Sequence, residues 1–176
     1  MKTVFFDVDT QIDFLYPAGA LYVPGAERLI PLIAKLNRSA PALISTVDAH
    51  SEDDPEFKLY PPHCVAGTLG QRKPSETLVP GQRLLEKQST NCFTAPGLPG
   101  LLAELSAERY VVYGVVTEIC VMHAALGLLK TGKRVEIVSD AMKALNEFAA
   151  RAFFGEFQAS GGYLIDSGQA LRTTLS

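Results

Sequence analysis

Hydrophobic and polar positions along the chain follow two different periodicities. Unbroken apolar runs rich in β-branched and aromatic residues predict buried strands at Thr3–Val8, Ala42–Val47 and Tyr110–Val116. Shorter strand patterns occupy Arg134–Val138 and Tyr163–Ile165. Their apolar character predicts a sheet that is buried on both faces.

Segments with apolar residues at helical spacing separate most of these strands. The predicted helices are Glu27–Leu36, Pro99–Leu105, Glu118–Lys130 and Glu147–Ala159, and Asn146 is a suitable N-cap for the last of them. Strands that alternate with helices predict an α/β fold, a three-layer α/β/α arrangement around a mainly parallel, Rossmann-like sheet. We expect a single domain over residues 1–176, because this length suits one core.

One long segment breaks the alternation. Ser51–Gln82 is rich in proline, glycine and charge and shows little periodicity, so we expect a substrate or metal loop at about residues 49–82. A loop of this length inside a compact domain is usually either functional or disordered.

Composition excludes several classes of partner and location. The formal net charge is −3, which predicts neither nucleic-acid nor anionic-membrane binding. The N-terminal apolar run reaches Asp7 too early for a signal peptide, and no apolar stretch is long enough to span a bilayer. With three cysteines and no export signal, we expect a cytoplasmic protein with reduced thiols.

Polar residues with possible chemistry follow the predicted strands. In parallel sheets ligands bind at the carboxyl ends of the strands, where Asp9, Asp48 and His50 are placed. Cys120 falls in the first turn of a predicted helix that Thr117 can cap, where backbone N–H groups and the helix dipole favour a thiolate. Taken singly, a packed cysteine and an aspartate in a turn or helix cap are the more ordinary explanations.

Three segments in fixed order make the chemistry specific. Asp9–Phe14, the pair of Lys87 with Phe93, and Gly114–Val121 together resemble the motifs of the isochorismatase-like cysteine hydrolases, a family that includes nicotinamidases. The resemblance extends over nearly the whole chain. It implies hydrolysis of a small molecule through a thioacyl-enzyme, and the segment after the second strand, which resembles that of nicotinamidases, adds nicotinamide, cleaved to nicotinate and ammonia, as the expected substrate.

The resemblance also implies a role for each matching residue. Asp9 corresponds to the base, Lys87 to the catalytic lysine and Cys120 to the nucleophile. A cis peptide is implied between Val115 and Val116, with the N–H groups of Val116 and Cys120 forming an oxyanion hole.

A metal site is implied by the segment after the second strand. The positions that match nicotinamidase ligands are Asp48, His50, Glu56 and His63. Carboxylates and imidazoles suit zinc first, with iron and manganese as alternatives, and no organic cofactor is expected. Phe14 and Tyr60 match the aromatics that hold the substrate ring.

The chain also departs from the nicotinamidase pattern. The Lys87–Phe93 segment is short, Tyr60 stands where tryptophan is frequent, and Cys92 replaces a small residue. These departures keep open a related hydrolase acting on another small amide, or a non-catalytic binding protein on the same fold. We expect Cys64 and Cys92 to be structural, because neither begins a predicted helix. The family resemblance further implies a homo-oligomer, a dimer or larger.

Overall fold

The computed structural model describes residues 1–172 and contains a six-stranded, all-parallel sheet in the order β3-β2-β1-β4-β5-β6. The strands are β1 Thr3–Val8, β2 Leu43–Asp48, β3 Arg83–Lys87, β4 Arg109–Val115, β5 Arg134–Lys143 and β6 Tyr163–Ile165. Every residue of the central strands β1 and β4 is buried, so both faces of the sheet are covered. The predicted α/β fold with a mainly parallel sheet is confirmed.

Helices of very different lengths connect the strands. They are α1 Ile12–Leu15, α2 Ile30–Ser39, α3 Leu98–Leu105, α4 Met122–Leu129, α5 Glu147–Ala159 and α6 Ser167–Arg172. Short 3-10 turns occupy Ala26–Leu29, Pro55–Lys58, Ser75–Thr77 and Cys92–Thr94. Across the described part of the chain, no helix is both long and apolar enough to cross a membrane.

The strand predictions were wrong in two places. β3 was missed because it is an edge strand in which exposed and buried residues alternate over only five positions. β5 continues to Lys143 rather than ending at Val138, and its register with β4 shifts between Val112 and Gly114. A register shift of this kind breaks the simple apolar pattern that sequence analysis depends on.

The helix predictions differ mainly at the starts of helices. The predicted helix Glu118–Lys130 begins as a single π-helical turn, Thr117–Val121, and only then becomes α4. The predicted cap of α5 is confirmed, because Asn146 Oδ1 accepts a hydrogen bond from the Ala149 N–H at 3.0 Å.

The long segment after β2 is ordered by hydrogen bonds to the rest of the chain. The N–H of Ile12 donates to Arg72 O of this segment at 2.8 Å, and the N–H of Asp13 donates to Gly70 O at 3.1 Å. The Cys64 N–H also donates to the Asp13 carboxylate at 2.7 Å. These contacts hold the segment over the carboxyl edge of the sheet.

Candidate active site

Polar side chains from three strands and one turn meet at the carboxyl edge of the sheet. Asp9 directly follows β1, Asp48 and Lys87 are paired last residues of β2 and β3, and Cys120 lies in the turn after β4. Lys87 Nζ lies 2.8 Å from Asp9 Oδ2, 2.5 Å from Asp48 Oδ1 and 3.7 Å from Cys120 Sγ. All four residues are buried. The structure therefore brings together the three residues that the resemblance named as catalytic.

The Asp9 carboxylate is held in one orientation by Thr46. The Thr46 hydroxyl donates to Asp9 Oδ1 at 2.6 Å, and the Asp9 N–H donates to Thr46 O at 3.1 Å. The other carboxylate oxygen, Asp9 Oδ2, faces Lys87. Sequence analysis missed Thr46, because a threonine inside a buried strand has no distinguishing signal.

Burial is the largest single influence on the pKa values of this group, and neighbouring charges oppose or reinforce it. It raises the pKa of Asp9, and the charge of Lys87 opposes that rise. Burial also raises the pKa of Cys120 well above its ordinary value; Lys87 opposes this, while Asp9 and Asp48 add to it. For Lys87, burial lowers the pKa, but the negative charges of Asp9, Cys120 and Asp48 outweigh it and the net shift is upward.

These shifts correct one expectation. The position of Cys120 at a helix start predicts a lowered pKa, but the structure gives the opposite direction, because burial beside Asp9 and Asp48 outweighs the helix start and Lys87. Use of the Cys120 thiol as a nucleophile would therefore require a base that removes its proton.

The turn that carries Cys120 has an unusual backbone. The bond between Val115 and Val116 is cis, and the N–H groups of Ile119 and Val121 both donate to Val116 O, at 3.1 and 3.2 Å. Gly114 has a φ of 122°, and a Cβ there would lie 2.2 Å from Val8 O, so β4 can pass β1 here only with glycine. With this backbone conformation Cys120 faces a pocket.

A cluster of possible metal ligands lies beside the group formed by Asp9, Lys87 and Cys120. Ligand atoms of Asp48, His50 and His63 all lie within 4.8 Å of one another, and the three residues are buried. Asp48 Oδ2 is 3.7 Å from His50 Nε2 and 3.8 Å from His63 Nε2. Glu56 Oε1 approaches His63 Nε2 to 3.9 Å. Three of the four predicted ligands therefore form one cluster, and Glu56 approaches it through His63.

Both histidines are oriented so that Nε2 points into the cluster. His50 Nδ1 bonds Asp54 Oδ2 at 3.0 Å, and His63 Nδ1 bonds Pro61 O at 2.7 Å, so in each ring Nδ1 carries the proton. His50 Nε2 is buried and has no hydrogen-bond partner among the described residues. An orphaned imidazole nitrogen beside two carboxylates fits a divalent cation.

Charge around His50 favours a cation at this position. Burial lowers the pKa of His50, but the nearby carboxylates of Asp48, Asp54 and Glu56 raise it to about 9. A bound metal would take the place of that positive charge on His50. Asp48 links the two clusters, because Oδ1 contacts Lys87 while Oδ2 faces the histidines.

Two supporting residues hold Asp48 and His50 in place. The Gln11 amide donates to Asp48 O at 2.9 Å and accepts from the Asp48 N–H at 2.7 Å. Asp54 binds His50 through Oδ2 and accepts from the Glu56 N–H through Oδ1 at 2.9 Å. Sequence analysis missed Asp54, although a capping aspartate before Pro55 and four residues after His50 is a recognisable signal.

The pocket above Cys120 is small and has aromatic walls. Phe14 and Tyr60, expected to hold a substrate ring, both line it and lie against His63, at ring-centroid distances of 5.4 and 6.3 Å. Other lining residues that sequence analysis did not identify are Leu21, Thr90, Ile119 and Leu145. Cys120 and three of the metal-site residues, Asp48, Glu56 and His63, share this pocket.

The other two cysteines are buried away from the pocket. Burial raises the pKa of Cys64 and raises the pKa of Cys92 to about 12. The expectation that Cys92 begins no helix was wrong, since it starts the 3-10 turn Cys92–Thr94, which Asn91 caps. Neither Cys64 nor Cys92 lines the pocket above Cys120, which agrees with a structural role.

Comparisons with known proteins agree on one family. A family model described as the isochorismatase domain matches residues 3–169. The nicotinamidase of Acinetobacter baylyi (strain ATCC 33305 / BD413 / ADP1) is 28% identical over 172 residues, covering 79% of this chain and 80% of that protein.

Two solved structures are closely similar in fold. PnC1 from L. infantum in complex with nicotinate has a TM-score of 0.88 at 29% identity, covering 94% of this chain and 93% of that one. Pyrazinamidase of Pyrococcus horikoshii in complex with zinc has a TM-score of 0.87 at 27% identity, covering 94% of this chain and 99% of that one.

Proposed function

The chain belongs to the isochorismatase family, and we propose that it is a cysteine-nucleophile amidohydrolase that converts nicotinamide into nicotinate and ammonia. The observation that carries the proposal is the single pocket in which Cys120, with Asp9 and Lys87 behind it, faces an Asp–His–His cluster. Relatives named as a nicotinamidase, a zinc-bound pyrazinamidase and a nicotinate-bound protein support an amide on a nitrogen-containing ring.

In the proposed acylation step, Asp9 takes the proton from Cys120 Sγ. The thiolate attacks the amide carbon, and the N–H groups of Val116 and Cys120 stabilise the oxyanion. Collapse of the tetrahedral intermediate breaks the C–N bond, and the proton held by Asp9 goes to the departing nitrogen to form ammonia. Lys87 stays protonated throughout and offsets the negative charge that moves between Asp9 and Sγ.

In the proposed deacylation step, Asp9 takes a proton from water as the water attacks the thioester carbon. The C–S bond then breaks, the thiol of Cys120 is restored and the acid leaves. Because burial raises the pKa of Asp9 while Lys87 lowers it, one carboxylate can serve as base and acid in turn.

The remaining pocket residues orient the substrate in this proposal. Asp48, His50, Glu56 and His63 would hold a divalent ion, zinc first and iron or manganese as alternatives. When bound, the ion supplies a Lewis-acidic point for a ring nitrogen. Phe14 and Tyr60 enclose the ring between that end of the pocket and Cys120.

The test is ammonia release from nicotinamide by purified, zinc-loaded protein. We expect turnover that Cys120→Ala lowers by about 10,000-fold or more, because no other group in the pocket can form the thioester. Cys92→Ala is the matched control: this thiol is also buried but does not line the pocket, so the variant should keep the wild-type rate.

A second candidate is hydrolysis of a different small amide by the same residues. Thr90 lines the pocket, and a residue that carries a hydroxyl at this position favours a substrate with an additional polar group. Wild-type protein that leaves nicotinamide intact but releases ammonia from another small amide would support this candidate. If Cys120 is not labelled by any small electrophile, both candidates are wrong.

A further inference from the structure

A second buried ion pair lies close to the active site but outside the pocket. Lys73 Nζ is 2.8 Å from Asp7 Oδ2, and the two side chains are 1% and 0% exposed. Neither residue lines the pocket above Cys120, and neither belongs to the proposed catalytic or metal group. The pair therefore has no direct part in the chemistry.

Lys73 and Asp7 together enclose one residue, Thr10. The Thr10 hydroxyl donates to Asp7 Oδ1 at 2.7 Å, and Lys73 Nζ contacts that hydroxyl and reaches Thr10 O at 3.4 Å. Asn37 Nδ2 and Ser45 Oγ also donate to Asp7 Oδ2, at 2.9 and 3.2 Å. Asp7 is thus fixed from three elements, and Thr10 is fixed through Asp7 and Lys73.

Asp7 and Thr10 flank Asp9, whose backbone is strained. Asp9 has a φ of 50°, in the left-handed region that residues with a Cβ seldom adopt. Such a conformation persists only where the surrounding structure holds it. The conformation decides where the carboxylate of Asp9 points relative to Lys87.

Anchoring of the long loop does not account for the ion pair. The segment next to Lys73 has its own anchors, since Ile12 N–H donates to Arg72 O and the Gln11 amide donates to Gln71 O at 2.7 Å. A buried ion pair is also a weak source of stability, because desolvation offsets most of the attraction. The contribution of the Asp7–Lys73 pair is instead to fix the position of Thr10.

We propose that Lys73 is a positioning residue: with Asp7 it clamps Thr10 and so keeps the backbone of Asp9 in the conformation that directs its carboxylate at Lys87 and Cys120. The proposal deepens the proposed function and rests on it, because it takes Asp9 as the base. The clamp acts on the proton-transfer step and not on substrate binding.

The main test is the charge-neutral double variant Asp7→Asn/Lys73→Met, which leaves no unpaired buried charge. We expect kcat on nicotinamide to fall by about 10- to 100-fold, since small displacements of a catalytic group have effects of this size. KM should stay within about twofold, because the pocket walls and the metal ligands are unchanged. Bound zinc, measured by metal analysis, should also be unchanged.

A second readout does not depend on the substrate. Alkylation of Cys120 by iodoacetamide, followed peptide by peptide by mass spectrometry, reports how well Asp9 takes the thiol proton. We expect alkylation of the double variant to slow by a factor similar to the fall in kcat. If wild-type protein fails on nicotinamide, the proposed substrate is wrong, but the alkylation comparison still decides the role of Lys73.

The matched control removes another buried ion pair at the opposite edge of the sheet. Arg109 and Glu136 pair where β4 and β5 begin, so Arg109→Met/Glu136→Gln should lower the melting temperature and leave kcat unchanged. Thr10→Val keeps the Asp7–Lys73 pair and removes only the hydroxyl, and we expect an intermediate loss of kcat.

Two results would overturn the proposal. The first is a double variant Asp7→Asn/Lys73→Met whose kcat and rate of Cys120 alkylation equal those of the wild-type protein. The second is a loss of kcat in the control Arg109→Met/Glu136→Gln that is as large as the loss in the double variant. If the double variant does not fold, Thr10→Val decides: wild-type kcat in that folded variant rules out a clamp on Asp9.

Discussion

At the scale of single residues, Asp54 holds two of the proposed metal ligands at once. One carboxylate oxygen fixes the ring of His50, and the other caps the 3-10 turn Pro55–Lys58 that carries Glu56. A hydrogen bond to Nδ1 fixes the tautomer of a ligating imidazole and increases the basicity of its other nitrogen. Asp54 should therefore control metal affinity without touching the metal.

Asp54→Asn should weaken zinc binding by about 10- to 100-fold, the usual cost of losing such a support. Titration of the metal-free protein with zinc against a competing chelator measures the change. Asp53→Asn is the matched control, because Asp53 is the adjacent aspartate and is exposed. Equal zinc affinities in the two variants would show that Asp54 does not support the site.

At the scale of elements, two helical glycines differ in the space around them: one is closely packed and the other is not. A Cβ on Gly127 in α4 would lie 2.2 Å from Cε2 of Phe93, whereas a Cβ on Gly155 in α5 would meet no atom within 4 Å. Gly127 therefore lets Phe93, at the end of the segment after Lys87, pack directly on α4. Gly155 has no such partner, and its flexibility only disfavours the helix.

Gly155→Ala should stabilise the protein by about 0.5–1 kcal/mol through helix propensity. Gly127→Ala should destabilise it by about 1–3 kcal/mol, because Phe93 must move. Urea unfolding of both variants measures the two changes in the free energy of unfolding. A gain in stability from Gly127→Ala would mean that Phe93 does not pack on α4 as described.

At the scale of the whole molecule, the proposed metal ligands join separate parts of the chain. Asp48 ends β2, whereas Glu56 and His63 come from the long loop, which is itself tied to α1 at Asp13. A ligand that binds only the folded state stabilises it in proportion to its occupancy. Metal binding should therefore stabilise the packing of the long loop against the sheet.

Zinc at about 100 times its Kd should raise the free energy of unfolding by about 2.7 kcal/mol, and a chelator should reverse the gain. Thermal unfolding with zinc and with EDTA measures the effect. His63→Ala should abolish the zinc-dependent shift in Tm, because it removes a buried ligand from the loop. An undiminished shift in that variant would place the stabilising zinc elsewhere.

Several predictions for the whole molecule stay open. The single domain over residues 1–176, the homo-oligomer and the cytoplasmic location each stay a prediction from the sequence. The residues after 172 lie outside the described part of the chain.

The sequence by itself determined the type of fold and the main chemical groups. Strongly apolar strands such as Thr3–Val8 are buried on both faces, so their pattern is unambiguous. Asp9, Lys87 and Cys120 occur in three motifs in the order that the family resemblance implies, and each lies at the carboxyl end of a strand.

Only the tertiary structure decided which residues support those groups and in which direction their pKa values shift. Thr46 and the Asp7–Lys73 pair act across elements that are far apart in the chain, so no local pattern marks them. The pKa of Cys120 depends on burial, which opposes the effect of its helix start. Position in a motif is a local property, whereas desolvation and contact between distant segments arise only when the whole chain has folded.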